Sequence, residues 1–466
     1  MKGPELKAAR PFHALAFLPV LAAMGLSLSY WPGLVTYDSV RQYDQALSGA
    51  FDDWHPPMME GIWRLILPLW PGPAPMLLLQ LGLYAAGMAG LVFWALWRGR
   101  PGIAFGLGSC ALLPLSVALM GEVLKDCLMA GALTAAVALV LLSLESRNGV
   151  ARVGAGLLVC FAATLRFNAF LAGVPILLLA AGPVMPASRP RMAIGAALMA
   201  VLLLLAMPIA NRALGAEASD VNLSLVIFDL AGITEHGGQN VFPAMAASQP
   251  VAAVRRCYTP VKWDSFSWWV DPLCPVNFED VRRAFHAAHI SATPFWIGQI
   301  IRHPIAYAQH RLAHWNINAR FLVHDEVERP VQRVSAPNEW NFRVTESAAL
   351  DLVDGAAVRS ADTPLGWPCV WMALAFGLML AARRLASARI IWMLAGSALF
   401  YGLGYGVFSV ASELRYYLWT MVAASVATVI ALGDVPALRR PDRWRTGLEI
   451  AVPPLAVALA ATLARL

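Results

Sequence analysis

Charge is scarce in this 466-residue chain. Asp, Glu, Lys and Arg make up 14% of it, against roughly 25% in an ordinary soluble domain. Hydrophobic residues make up 59%, and the mean hydropathy is +0.59. A soluble globular enzyme and a disordered chain are both excluded. Lysine is rarer still: four of the 35 basic residues are Lys and the other 31 are Arg. A Gly-rich phosphate loop and a Gly-x-Ser-x-Gly elbow are also missing, which argues against a nucleotide-driven enzyme. No internal repeat or low-complexity tract stands out. The chain is instead a succession of apolar runs of ~18–25 residues, the length of a spanning helix rather than a barrel strand. Lipid is the solvent, and the backbone must be satisfied inside helices.

A net charge of +6 and a pI near 9.1 could point to nucleic acid. The basic residues, however, sit in short clusters between apolar runs, as they do in cytoplasmic loops. No nucleic-acid partner is expected. These clusters set the topology. Lys2, Lys7 and Arg10 place the N-terminus inside, and the apolar run from Phe12 leads into Tyr30-Trp31-Pro32 without a small-residue cleavage site, so it reads as the first anchor, about 12–30. Spans are expected at about 75–97, ending at Arg98 and Arg100, and at 101–120. A return span should end before Arg147 and Arg152. The run 153–183 would be ~45 Å long as one helix, well beyond the ~30 Å hydrocarbon core. Arg166 would fall in its middle, and Arg189 and Arg191 must return to the inside. Two short helices meeting at Arg166-Phe167-Asn168 resolve both conflicts. A span over 192–210 then leads to a polar segment, 211–365, placed outside. Further helices are expected at about 366–382, 390–409, 416–433 and 447–464. The fold class is therefore an all-α polytopic membrane protein of about 11 transmembrane helices, some short, with an extracytoplasmic subdomain. Its three parts are 1–210, 211–365 and 366–466. Short loops and the lack of targeting signals fit a bacterial inner membrane.

Cys110, Cys127, Cys160 and Cys369 fall in or beside apolar helices, as small hydrophobes. Cys257 and Cys274 both fall in the outer segment, where an oxidising compartment favours a disulfide.

Polar residues collect on one side. The first outer loop carries Asp38, Arg41, Tyr43, Asp44, Asp52, Asp53 and His55; later corners carry Glu122, Lys125 and Asp126, then Arg166 and Asn168, then Glu413, Arg415 and Tyr416. Acids and bases at membrane depth are costly unless paired or wet, and a shared cavity is the default explanation. Asp38 is placed to be a general base; its position alone favours a helix N-cap. Lys125 beside Asp126 reads either as a phosphate ligand or as a local ion pair with a snorkelling Lys. Arg166 and Arg415 need an anion or carbonyls, a lipid phosphate or a buried acid. His55-Pro56-Pro57 is a stiff turn that starts a helix at Met58 or holds His55 at a cavity wall. Seven of the nine histidines lie between 236 and 324. His310 and His314 have i, i+4 spacing, but Arg311 stands where a zinc protease motif has Glu, so they and His286 and His289 read as surface or interface histidines. Trp263, Trp268 and Trp269 fit sugar stacking, the membrane interface or a small core.

Taken in order, these elements resemble the GT-C superfamily of polytopic glycosyltransferases, notably the protein O-mannosyltransferases and the lipid A aminoarabinose transferases. Those have an acidic residue just after the first helix, then an amphipathic helix and a His-Pro-Pro or Lys-Pro-Pro element. Asp38, Arg41 and Tyr43 match the first, and His55-Pro56-Pro57 the second. Asp126 matches a second acidic residue between helices 3 and 4. Arg166-Phe167-Asn168 is similar to an Arg-x-Asn element, and Glu413-Leu414-Arg415-Tyr416 to a late Arg-Tyr pair. Asp38-Ser39 departs from the Asp-Glu pair of many members, which leaves Asp44, Asp52 or Asp53 as the second acid. The resemblance covers most of the first 210 residues and the late helices. It implies an inverting transfer from a polyprenyl-phosphate sugar to a lipid, glycan or protein acceptor. Asp38 and Asp126 would be catalytic. Arg41, Tyr43, His55, Glu122, Lys125, Arg166, Asn168, Arg415 and Tyr416 would bind substrate. Metal dependence varies across the superfamily; a divalent metal is compatible with it, and no ligand set stands out here. The rivals are a transporter of a lipid-linked sugar and a non-catalytic assembly protein.

Overall fold

The computed structural model describes residues 11–182, 189–243, 251–323 and 328–466. Lys2, Lys7, Arg10 and His324 lie outside them. Helices dominate, and three isolated bridges are the β-pairings among the described residues. Among the described residues, seven helices are long and apolar enough to cross a membrane: His13–Tyr30, Ala74–Trp97, Lys125–Ser146, Pro190–Ala213, Ala388–Phe408, Leu414–Ala437 and Arg440–Leu463. Four shorter apolar helices accompany them: Pro101–Leu112, Gly149–Ala163, Ala169–Ala181 and Pro368–Ala382. This is a multi-pass membrane protein.

Lys125–Ser146 is the central helix, 83% of its apolar window buried, whereas Pro190–Ala213 is 11% buried and presents its surface outward. Small residues line the packed faces of the central helix. Ala130, Gly131, Ala132, Ala135 and Ala136 let neighbours approach closely. A Cβ added at Gly87 of Ala74–Trp97 would meet the backbone of Thr134 and Ala135, so those two helices touch main chain to main chain. The run 153–183 is interrupted at 164–168, between Gly149–Ala163 and Ala169–Ala181, as its length and central Arg require. The 101–120 span is broken too: Pro114 opens a separate short helix, Pro114–Leu119, after a 3-10 turn.

Arginines pair at one end of the bundle. Arg98 meets Glu145 at 3.1 Å and Arg100 meets Asp434 at 2.8 Å. Arg384 pairs with Glu449. The segment 211–365 is divided between two cores. Helices Asn222–Gly237, Phe278–Ala287 and Pro304–Asn318 enclose a separate core of Phe228, Trp263, Phe266, Phe278 and Phe285. Ala319, Val331, Leu350, Val353 and Ala357 instead join the main core of the bundle. The Cys257–Cys274 disulfide is formed.

Candidate functional site

Local structure delivers Asp38 first. Thr36 is the N-cap of the amphipathic helix Tyr37–Ser48, in a reciprocal capping box with Ser39. The N-cap expected at Asp38 therefore sits two residues earlier, and Asp38 lies in the first turn with its carboxylate free to face elsewhere. Ser39 Oγ donates to the Val123 carbonyl at 2.6 Å. Leu34 and residues 121–123 exchange backbone bonds, Leu34 N to Gly121 O and Val123 N to Leu34 O. The start of the amphipathic helix is thus bolted to the corner that precedes Lys125.

Three further segments converge on it. His55-Pro56-Pro57 does open the helix Met58–Ile66. The break after Ala163 supplies Arg166, and the chain after Phe408 supplies Glu413 and Arg415. Arg415 Nη2 lies 2.9 Å from Asp38 Oδ2, and Arg415 also pairs with Glu413. Lys125 Nζ donates to His55 Nδ1 at 2.6 Å, and His55 Nε2 lies 3.7 Å from Asp38 Oδ1. Lys125 thus turns to His55 rather than to its neighbour Asp126. Asp126 pairs with Arg166 at 3.2 Å. Arg166 also donates to the Tyr405 hydroxyl at 3.2 Å and lies 4.4 Å above the Tyr416 ring, which stacks on Tyr405.

These groups border a cavity of about 1340 Å³. Asp38, Arg41, His55, Glu122, Lys125, Arg166, Asn168, Arg415 and Tyr416 all line it. Two expected site residues do not. Asp126, 1% exposed, stands behind Arg166. Tyr43 is packed among Trp63, Trp340 and Phe342, its hydroxyl accepting from the Gly72 amide. Arg41 reaches the wall but pairs with Asp52 at 2.5 Å. Asp44, Asp52 and Asp53 do not line the cavity. Asp44 is exposed, Asp52 holds Arg41, and Asp53 accepts from the Ser219 amide at 2.7 Å and hydroxyl at 2.6 Å. Glu413 shares Arg415 with Asp38, and its two-residue spacing from Arg415 was the available signal. Tyr405 was missed because it reads as one more aromatic in an apolar helix.

Burial and charge set the protonation states outside the spans. Burial works to raise the Asp38 carboxyl, but Arg415, His55 and Lys125 outweigh it and hold Asp38 well below the usual carboxylate range. Burial and the Lys125 ammonium push His55 down to about 3, so its ring stays neutral with Nδ1 accepting and an Nε2 hydrogen towards Asp38. Burial raises Glu122 to about 8, against the Gln332 amide that donates to its Oε1 at 2.7 Å. Glu413 is also raised by burial, with Arg415 opposing.

The donor set does not suit a divalent metal. The two oxygens of Asp38 face Arg415 and His55, and His55 already holds Lys125. Among the described residues no three His, Cys, Asp or Glu converge. His310 and His314 are core rather than surface groups: both are fully buried, His310 3.1 Å from Asp229 and His314 on the Pro260 carbonyl at 2.7 Å. His286 and His289 lie at the surface.

No protein-family model matches the chain, and no curated protein matches it by sequence. Among solved structures it is similar to an oligosaccharyltransferase of Archaeoglobus fulgidus tethered to an acceptor peptide. Identity is 11% and the TM-score 0.37, over 98% of this chain and 55% of that one. A second is the archaeal oligosaccharyltransferase AglB from the same organism, in complex with an inhibitory peptide and a dolichol-phosphate. Identity is 12% and the TM-score 0.38, over 97% and 56%. The chain spans a little over half the length of these proteins.

Proposed function

We propose that this protein is a membrane glycosyltransferase that moves a sugar from a polyprenyl-phosphate donor to an acceptor on the outer face of a bacterial inner membrane. One observation carries the reading. A carboxylate, Asp38, and three cations, Lys125, Arg166 and Arg415, come from four separate segments to a single cavity at the end of the bundle opposite the paired arginines. Glycosyl transfer from a lipid phosphate needs that combination: a base for the acceptor hydroxyl, and fixed cations where charge develops on the leaving phosphate. With the paired arginines taken as cytoplasmic, the cavity and the polar segment 211–365 lie outside. The four short apolar helices complete about 11 spans, with 1–210 and 366–466 as the membrane parts.

Roles follow from the contacts. Arg415 is shared between Asp38 and Glu413, so a donor phosphate competes for it. Once Arg415 leaves Asp38, burial raises that carboxyl towards a range where it takes a proton from the acceptor. The neutral His55 ring, held by Lys125, orients Asp38. Asp126 is a positioning residue that fixes Arg166. Asn168, Glu122, Arg41 and Tyr416 border the substrate space, and Tyr43 supports the amphipathic helix from behind.

The test is incubation of the protein in lipid with a panel of polyprenyl-phosphate sugars, following release of polyprenyl phosphate by mass spectrometry. Release by the wild type, abolished in Asp38→Asn with donor binding retained, is expected. No release with any donor in the presence of membrane extract as acceptor would overturn the reading in favour of a transporter or an assembly protein.

A further inference from the structure

The wall of the cavity facing away from the bundle is aromatic and stapled. Residues 257–274 form a loop closed by the Cys257–Cys274 disulfide. Its backbone is tied down as well: the Trp263 amide donates to the Val410 carbonyl at 2.9 Å, and Ser412 Oγ to the Val261 carbonyl at 2.8 Å. Within this loop Trp263 is buried, 4% exposed, and serves as a base. Trp268 and Trp269 meet edge to face at 4.6 Å and stand 38% and 50% exposed. Trp54, the neighbour of His55, closes the group at 4.9 Å from Trp268.

Exposed tryptophans of a membrane protein ordinarily anchor at the lipid interface. These two line the same cavity as Asp38 and Arg415. The same cavity is lined by polar groups that lipid would not tolerate: Lys262, paired with Glu328 at 2.6 Å, and Asp264, 3.8 Å from Lys262. Burial raises the Asp264 carboxyl, and so do Glu328 and Asp38; the nearness of Asp38 places this cluster within electrostatic reach of the proposed base. Flat indole faces beside carboxylates and an ammonium suit one ligand chemistry. A pyranose offers partially positive ring C–H groups to an aromatic face and hydroxyls to carboxylates at its rim.

Resting on the glycosyltransferase reading, we propose that Trp268 and Trp269 form the acceptor subsite, and that the acceptor is a neutral saccharide whose ring stacks there. Asp264 and Glu328 accept from its hydroxyls. Asp264 and Glu328, two carboxylates at the rim, disfavour an acidic sugar.

The experiment uses the full chain in nanodiscs and needs no turnover. Saturation-transfer NMR is run with neutral tri- and tetrasaccharides of glucose, mannose, galactose and N-acetylhexosamine, and with uncharged pentapeptides. Transfer to saccharide ring C–H protons is expected, with affinity about tenfold weaker in Trp268→Ala or Trp269→Ala and partly kept in Trp268→Phe. Retained binding of polyprenyl phosphate in each variant, read by native mass spectrometry, reports an intact bundle. Capture of peptides alone, no capture of any saccharide, or saccharide capture indifferent to both tryptophans would overturn the proposal. So would quenching of these two indoles by brominated lipid. Donor cleavage without saccharide capture sinks the shelf and leaves the transferase; saccharide capture through Trp268 without cleavage of any donor does the reverse.

Discussion

Arg415 contributes to the site through geometry as much as charge. Its guanidinium spans two carboxylates, Asp38 and Glu413, and lies 5.7 Å from the Tyr416 ring centre. Lysine keeps the charge and loses the fork. Arg415→Lys is expected to lower the rate of donor cleavage by about 10- to 100-fold with the protein folded, and Arg415→Ala by more; equal rates for Lys and Arg would remove the fork from the mechanism. Glu122 makes a separate prediction. Burial raises its carboxyl from 4.5 to about 8, so the folded protein prefers the neutral acid while the unfolded chain ionises first. Stability attached to this group is present below pH 4.5 and is lost as pH rises towards 8. Glu122→Gln keeps an acceptor for the Gln332 amide and carries no proton. Thermal unfolding in lipid should show it level with the wild type below pH 4.5 and more stable by about 3–5 kcal/mol at pH 9. A parallel pH profile for the two proteins would refute this. Asp38, Lys125, Arg166 and Arg415 were legible in the sequence, because a charge at the end of an apolar run needs a reason. Tyr405 and Asp264 were not: a tyrosine in an apolar helix and an acid in a polar loop carry no such surprise.

A buried charge adds to the ties between the outer segment and the bundle. Asp229, on helix Asn222–Gly237, accepts from Trp296 Nε1 at 2.7 Å and meets Arg311 at 2.6 Å and His310 at 3.1 Å. Arg311 then donates to the Ser409 carbonyl at 2.7 Å, at the start of the segment that carries Glu413 and Arg415. Asp229→Asn leaves the Arg311 cation buried without its counter-ion, at a cost of about 3–5 kcal/mol. Limited proteolysis should cut the 222–318 region of the variant first, while the membrane helices stay intact; wild-type resistance would show that the node is dispensable. The disulfide acts on the same region through the unfolded chain. Cys274→Ser is expected to cost about 2–4 kcal/mol of outer-segment stability, measurable by the same proteolysis, and unchanged protection would count against it. Most spans were legible to within a few residues, whereas the last helix starts at Arg440 rather than about 447. The break at Arg166 was foreseen from length and charge, whereas the break at Pro114 was not, because the 101–120 run is apolar throughout and one Pro is compatible with a spanning helix.

The whole molecule is polarised, with paired arginines at one end and the charged cavity at the other. The proposed orientation puts Ser48, exposed after the amphipathic helix, outside and Ser146, exposed at the end of the central helix, inside. With half-buried Cys160 replaced by Ser, Ser48→Cys should react with an impermeant maleimide in intact cells, and Ser146→Cys only after lysis; the inverse pattern would turn the cavity inward. Composition and charge spacing determined by themselves that this chain crosses a membrane many times, where most helices begin and end, and which corners carry charge. Those properties are local: hydropathy acts over one helix length, and a charge is costly wherever its own run is apolar. Partners were decided only by the tertiary structure. Lys125 turning to His55 and not to Asp126, Glu413 sharing Arg415 with Asp38, and Asp126 and Tyr43 standing behind the wall all depend on contacts between segments tens to hundreds of residues apart. No pattern within one run encodes which side chain will meet which across the cavity, because that is set by the closest packing of small-residue faces such as Gly87 on Ala135.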